Sequence, residues 1–424
     1  MLLFHWLRPI PLLAALALTG CGGTASDVET VVLWAMGREG EVVQQLLPEF
    51  ESAHPGIKVK VQQIPWSAAH EKLLTAYAGG NMPDVVQLGG TWLAEFVAIG
   101  ALQPLDRRLA ASSLPPDDYY PAALDANRLD GELYGLPWYV DTRVLFYRTD
   151  LLEKAGVGQV PATWQQWLKA LGKVQAGKRA EYALLLPMNE WELPTALAWQ
   201  ENAELLRDGG RYGNFRSDAF RRAFGFYVSL YQRHLAPAQS SSQISNTHQE
   251  FARGYFAAFV SGPWNVGELR RRLPPAMQSR WATAPLPARE GDEPGLSLAG
   301  GASLAISRQA QHPDAAWAVL EYLSQPQQQI RFYQLTGDLP PRRDSWADPA
   351  LATDPTLEAF RRQLPHMRAA PQVPEWERIA SKIAYYAEQA ARGKMTQDEA
   401  LAALDQETDA ILEKRRWLLR QRER

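Results

Sequence analysis

Only one of the 424 residues is a cysteine, Cys21, so no internal disulfide can form and the fold must rest on its buried core. Neither sign of charge is in clear excess: 44 Lys and Arg stand against 47 Asp and Glu, a formal net charge of −3 that removes the electrostatic case for nucleic acid. The seven histidines show no metal-ligand spacing with one another or with Cys21, so neither a metal nor any other cofactor is expected. No apolar stretch at the N-terminus is long enough to stay in a bilayer: Ile10 to Leu18 covers about half of the roughly 20 residues a spanning helix needs. Internal repeats and long low-complexity tracts are missing too, which leaves an ordinary globular chain.

What is present begins with a leader. Met1 to Gly20 carries one arginine, Arg8, no acidic residue and the short apolar run, the layout of a secretory signal peptide. Its end, Leu18-Thr19-Gly20-Cys21, resembles a bacterial lipobox, in which the cysteine becomes the acylated first residue of the mature protein. The expected organisation is therefore a signal peptide over 1–20, a lipidated Cys21 and flexible tether over 21–27, and folding from Val28, with the protein anchored to a membrane on the periplasmic side. Roughly 400 residues remain, more than one core usually serves, so two lobes are expected. The chain is also rich in aromatics, with 15 Trp, 15 Tyr and 13 Phe. Their flat apolar faces and polar edges suit a sugar ring, although most such rings belong to the core.

Along the chain, Thr30 to Trp34, Ile57 to Ile64 and Val85 to Leu88 read as strands, separated by helices over Glu41 to Glu51 and Ala68 to Ala78. That alternation predicts an α/β lobe with a largely parallel sheet, and ligands of such sheets sit at the carboxyl ends of strands. The loops Ala35 to Gly40, Pro65 to Ser67 and Gly89 to Trp92 are thus candidates for one wall of a site. Leu133 to Arg148 is strand-like and is followed by a helix over Thr149 to Ala155. Pro161 to about Leu235 reads as mostly helical, and Ala282 to Ile306 as short apolar segments that carry the chain back to the first lobe. From His312 onward the pattern is helical again, broken at Gly337 to Pro341 and ending in a charged amphipathic tail of about forty residues.

Several segments, in order, resemble the extracellular solute-binding proteins of ABC importers, in the family that includes the maltose- and trehalose-binding proteins. They are Leu47-Pro48-Glu49-Phe50-Glu51-Ser52-Ala53-His54-Pro55-Gly56-Ile57-Lys58-Val59, then Gly79-Gly80-Asn81-Met82-Pro83-Asp84-Val85-Val86, then Leu133-Tyr134-Gly135-Leu136-Pro137-Trp138 with Leu145-Phe146-Tyr147-Arg148 ahead of Leu151-Leu152-Glu153-Lys154-Ala155-Gly156, and finally Gly254 to Trp264. The resemblance implies a two-lobed periplasmic-binding-protein fold of type II character, with discontinuous lobes: 28–138 with 286–327, and 139–285 with 328–424. A cleft between them would close on a sugar by hinge motion and present it to the membrane permease. Binding and not catalysis is the implied output, from a monomer. The chain has glycine pairs but no following Lys-Ser or Lys-Thr, so the ATP-hydrolysing subunit must be another chain.

Carboxylates accept from two neighbouring sugar hydroxyls, and Glu39 and Asp141 match positions at which relatives do this. Arg342 matches a position where an arginine fork reaches the cleft. Trp264 is the leading candidate for ring stacking, with Trp66 and Trp92 as further aromatic candidates. Trp138 and Tyr139 flank the first crossover and are candidates for a second aromatic wall, although strand neighbours face opposite ways and one should pack inward; Tyr139 is favoured because it shares a face with Asp141. Gly300 and Gly301 resemble a glycine turn whose backbone amides meet the ligand. Thr91 completes the Gly89 to Trp92 segment, and Gly89 itself stands where many relatives carry an acid. Three other readings stay open: a binding protein for an anionic solute read by Arg38, Arg342 or Arg343, a periplasmic glycosidase using the same carboxylates, and a structural lipoprotein.

Overall fold

The computed structural model describes residues 28–244 and 246–422; Cys21 and the leader lie outside them. Strand β1 (Glu29–Met36) buries Val31, Leu33 and Ala35 completely and leads into helix α1 (Gly37–Val42). Strand β2 (Ile57–Ile64) alternates half-buried Ile57, Val59 and Val61 with exposed Lys58 and Lys60, the pattern of an edge strand with one apolar face. Helix α2 (Trp66–Ala78) then returns the chain to β3 (Val85–Gly89), buried throughout. Both β2 and β3 pair parallel to β1.

The first sheet is completed by β4 (Leu136–Asp141) and by a strand that arrives much later in the chain. Between them lies the second lobe, with β5 (Val144–Arg148), β6 (Tyr182–Leu185), β7 (Phe256–Ser261), helix α3 (Trp264–Arg272) and β8 (Trp281–Ala284). The late strand is β9 (Gly300–Ile306), and the orders are β2-β1-β3-β9-β4 and β8-β5-β7-β6. The expected largely parallel sheet holds only for β1 to β3. Strand β9 is antiparallel to both neighbours, pairing Ala302 with Gly89 and Gly300 with Asp141. The reason is topological: β3 and β4 end at the cleft, whereas a strand returning from the second lobe begins there.

Three readings of the chain change. The stretch expected to be mostly helical also contains β6, a four-residue apolar run too short for its period to be read. Helix α4 (Pro326–Thr336) straddles the expected lobe boundary at 327/328; its Phe332 joins the core of the first lobe, while Tyr333 joins a cluster with Leu339 and Trp346. The supposed tail is mostly packed structure. Helices α5 (Trp376–Ala391) and α6 (Gln397–Ile411) bury Trp376, Ile379, Ile383, Leu401 and Leu404 in the second lobe's core. A capping box between Thr396 and Glu399 starts α6. No helix among the described residues is long and apolar enough to cross a membrane.

Two expected cleft residues are structural instead. Trp138 is 1% exposed and stacks on Phe332 with centroids 4.3 Å apart, so its ring fills the first core and cannot face a ligand. Arg342 is absent from the cavity lining: its backbone bridges antiparallel to that of Tyr119 and its side chain is held by partners behind the wall. Its Nε donates to Asp118 Oδ2 at 2.6 Å, and its Nη1 donates to the Ser324 carbonyl at 3.2 Å. Arg343 likewise donates to the Asp117 carbonyl. Removing Asp118 leaves the buried Arg342 with only Asp344, 3.9 Å away and largely exposed, so Asp118→Ala is expected to lower unfolding free energy by about 3 kcal/mol. Urea denaturation checks this; a loss of only a few tenths would mean that Arg342 finds water.

Candidate ligand-binding cleft

The cleft-facing ends of the two sheets enclose a cavity of about 550 Å³, within the roughly 300–1,000 Å³ typical of small-molecule sites. Ten of the twelve expected residues line it: Glu39, Trp66, Gly89, Thr91, Trp92, Tyr139, Asp141, Trp264, Gly300 and Gly301. Trp138 and Arg342 do not.

Glu39 lies in the first turn of α1 and not in the loop expected after the first strand, and it is 7% exposed. Its Oε1 accepts from the Tyr139 hydroxyl at 2.8 Å and from Trp66 Nε1 at 3.3 Å. Tyr139 is itself held by Gln87 Nε2 at 3.4 Å. Burial pushes the Glu39 carboxyl above its ordinary range, its hydrogen bonds pull it back, and the charge of Asp141 adds to the rise. Gly37, at φ +46°, makes this corner possible, because a Cβ there would stand 2.8 Å from Trp66 Cδ1. Trp66 in turn meets Trp92 edge to face at 5.6 Å, forming the aromatic wall of the first lobe.

Asp141 ends β4 and is paired with Arg143 Nη1 at 2.9 Å, while Arg143 Nη2 holds Glu192 Oε1 at 3.0 Å. The same guanidinium lies 4.9 Å from the Trp264 ring centroid. Burial raises the Asp141 carboxyl, and Arg143 opposes that rise. The glycine pair does a different job from the one expected. Gly300 and Gly301 are the first residues of β9 and not a turn offering free amides. A Cβ on Gly300 would lie 2.4 Å from Asp141 Oδ1, and one on Gly301, at φ +118°, 2.3 Å from the Tyr139 carbonyl. Their backbone is occupied as well: a Gly301 backbone hydrogen bond steadies Asp141, and its carbonyl accepts from Gly90 at 3.0 Å. Both glycines let Asp141 and Tyr139 lie against the strand.

The second lobe adds residues that sequence reasoning missed. Trp191 and Glu192 come from the start of the helix Glu192–Gln200, Asp338 from the turn after α4, and Glu377 from the first turn of α5. The Thr91 hydroxyl donates to Glu377, a direct link across the cleft. Arg143 was within reach, standing two residues from Asp141 in the same crossover. Asp338 lay in a turn that the pattern had already marked. Glu377 gave no signal, because its segment carried only a general helical pattern with nothing to mark which turn meets the cleft. Among the described residues, no group of three or more His, Cys, Asp or Glu is arranged to hold a metal ion.

Behind Arg143, burial with Glu192 beside it pushes Glu190 from 4.5 to about 7, against the pull of Arg143. The folded chain then holds that proton more tightly than the unfolded chain does. The contribution to stability is full below about pH 4.5 and is lost as pH rises through about 7. Glu190→Gln keeps the shape without the charge, so its melting temperature should equal that of the unaltered chain at pH 4 and exceed it at pH 8. Scanning calorimetry at the two pH values checks this, and equal melting at pH 8 would show that Glu190 ionises freely.

Comparison with known proteins fits this geometry. The family model for bacterial extracellular solute-binding proteins matches residues 35–330. The sugar-binding protein MalE of Xanthomonas citri is 49% identical and superposes with a TM-score of 0.87, covering 92% of this chain and 99% of that one. The GacH receptor of Streptomyces glaucescens, solved unliganded and with acarbose, is 26% identical with a TM-score of 0.80, covering 91% and 98%. The mannitol-binding protein of Pseudomonas aeruginosa is 26% identical over 421 residues, 91% of this chain and 93% of its own. With two sheets joined by crossovers, a cleft at their ends and a family match over well more than half its length, the chain belongs to the bacterial extracellular solute-binding proteins, and its output is binding rather than catalysis.

Proposed function

We propose that this chain is the sugar-binding protein of an ABC importer, and that its ligand is an α-linked glucose disaccharide, maltose or trehalose. The observation that carries the reading is the lining of one cavity by buried carboxylates and by tryptophans from both lobes: Trp66 and Trp92 on one side, Trp191 and Trp264 on the other. Sugar rings offer apolar faces to the indoles and hydroxyl pairs to the carboxylates, so the wall chemistry matches both halves of a saccharide surface. The sugar-binding name of the Xanthomonas citri relative, at 49% identity, supports the class. The anionic alternative loses support. Arg342 and Arg343 point elsewhere, Arg38 does line the cavity but is paired with Glu41, and among the described residues the lining holds six carboxylates against three guanidiniums, a field that repels phosphate. The glycosidase reading falls with the family assignment.

Ligand capture stabilises a protein that binds only when folded, by about 2.7 kcal/mol at 100 times the dissociation constant, and so raises its melting temperature. Maltose or trehalose is expected to produce that shift and glycerol phosphate none. Glu39→Gln should weaken the sugar at least tenfold by calorimetry, consistent with roughly 1.5–3 kcal/mol for a hydrogen bond to a charged group, and Trp264→Ala, which removes a stacking face, should weaken it as well. A shift with glycerol phosphate and with no sugar would sink the assignment.

The lipid anchor belongs to the same proposal. Acylated Cys21 would keep the receptor beside its permease while Gly22 to Ser26 let it turn. Cys21→Ala is expected to move the protein from the membrane fraction to the soluble one; unchanged partitioning would remove the anchor from the model.

A further inference from the structure

The charges of the cleft are not matched among themselves. Each guanidinium lining the cavity is already engaged: Arg38 with Glu41 at 3.2 Å, Arg143 with Asp141 and Glu192, and Arg271 with Glu268. Among the described residues this leaves Glu39, Asp338 and Glu377 as lining carboxylates with no ion pair, and Glu377 takes the Thr91 hydroxyl. Glu39 and Asp338 lie deeper, at 7% and 6% exposed. Glu39 at least accepts from Tyr139 and Trp66. Asp338 has less. The side chain that assists it is Thr336, and the Thr336 hydroxyl already donates to the Phe332 carbonyl at 2.8 Å. Asp338 is therefore a buried carboxylate at the cavity wall with no cation and no uncontested donor, and it is repelled by both Glu39 and Asp141.

Resting on the reading that this cleft holds a sugar, we propose that the preferred ligand carries a basic amine, an amino- or imino-sugar whose ammonium group sits between Glu39 and Asp338. A hydroxyl donates one hydrogen and brings no positive charge, so the pair must go on sharing a proton to limit its own repulsion. An ammonium donates three and brings the missing positive charge, so it answers two carboxylates at once. The rival account is that the cluster simply keeps a proton, and the two differ in what ligand binding does to that proton. An ammonium should expel it, whereas a neutral sugar should not.

The experiment compares maltose and trehalose with their mono-amino analogues and with the N-acetylated forms of those analogues, by titration calorimetry at pH 7 in two buffers of different ionisation heat. The expected result is that at least one amine binds tenfold or more tightly than its parent sugar, that acetylation removes the gain, and that its binding releases a proton into the buffer. In Asp338→Asn the ratio of amine to parent affinity should fall towards one. If maltose or trehalose binds and no amine exceeds its parent, the amine preference is overturned while the sugar reading stands, and an unchanged ratio in Asp338→Asn overturns the seating of the ammonium at Asp338. If neither the amines nor the neutral sugars bind, both fall. The comparison of amine with acetylated amine uses only the unaltered chain, so it decides the matter even if Asp338→Asn does not fold.

Discussion

The rest of the cleft depends on the seating of one guanidinium. Arg143 sits where the chain first leaves the first lobe, between the end of β4 and the start of β5, and it joins Asp141 on one side to Glu192 on the other. A buried arginine loses its hydration, and two carboxylates return what burial removes, so its own ionisation is driven further up and the charge is permanent. Its backbone is committed as well. Ser297, fully buried in the second crossover, accepts from the Arg143 amide and donates to the Arg143 carbonyl, both at 3.0 Å. One residue thus ties two crossovers together, orients Asp141 and supports the Trp264 ring.

The third crossover is stitched in the same region by backbone. The amide of Val140 donates to the Leu339 carbonyl at 2.8 Å, and that of Tyr120 donates to the Pro341 carbonyl at 3.0 Å. The Arg342–Asp118 pair locks this segment from behind, which is why the arginine is absent from the cavity. Hinge motion in a two-lobed protein needs crossovers that bend without losing register. Here the register is kept by hydrogen bonds within a few residues of Val140. The cavity walls on either side carry side-chain contacts that can be exchanged, such as the one from Thr91 to Glu377.

Much of this was legible in the sequence, and the limits have physical causes. Strands β1 to β3 and the residues at their ends announced themselves because period-2 and period-3.6 patterns are local. That is why Glu39, Trp66 and Trp92 were placed near the cleft. The alternation rule separated Trp138 from Tyr139. Arg342 failed because the direction of a long side chain is set by its partner, and Asp118 lies 224 residues earlier. Glu377 was missed because a helical pattern alone does not say which turn meets the cleft, and that is decided by how α5 packs on the second core. The antiparallel entry of β9 depends on which end of the sheet the chain returns to, and no local pattern carries that information.

Aromatic placement explains why the two lobes must act together. Trp66 and Trp92 approach from one lobe and Trp191 and Trp264 from the other, so neither lobe alone can cover both faces of a ring. Closing the cleft without a ligand would bring the carboxylates of the first lobe towards those of the second, with little between them to lower the local field. An occupied cleft differs in both respects: the ring fills the space between the indoles, and its polar groups answer the carboxylates. Under the proposed function, closure and occupancy then form one equilibrium, biased towards open by like charge and towards closed by a ligand that satisfies both walls.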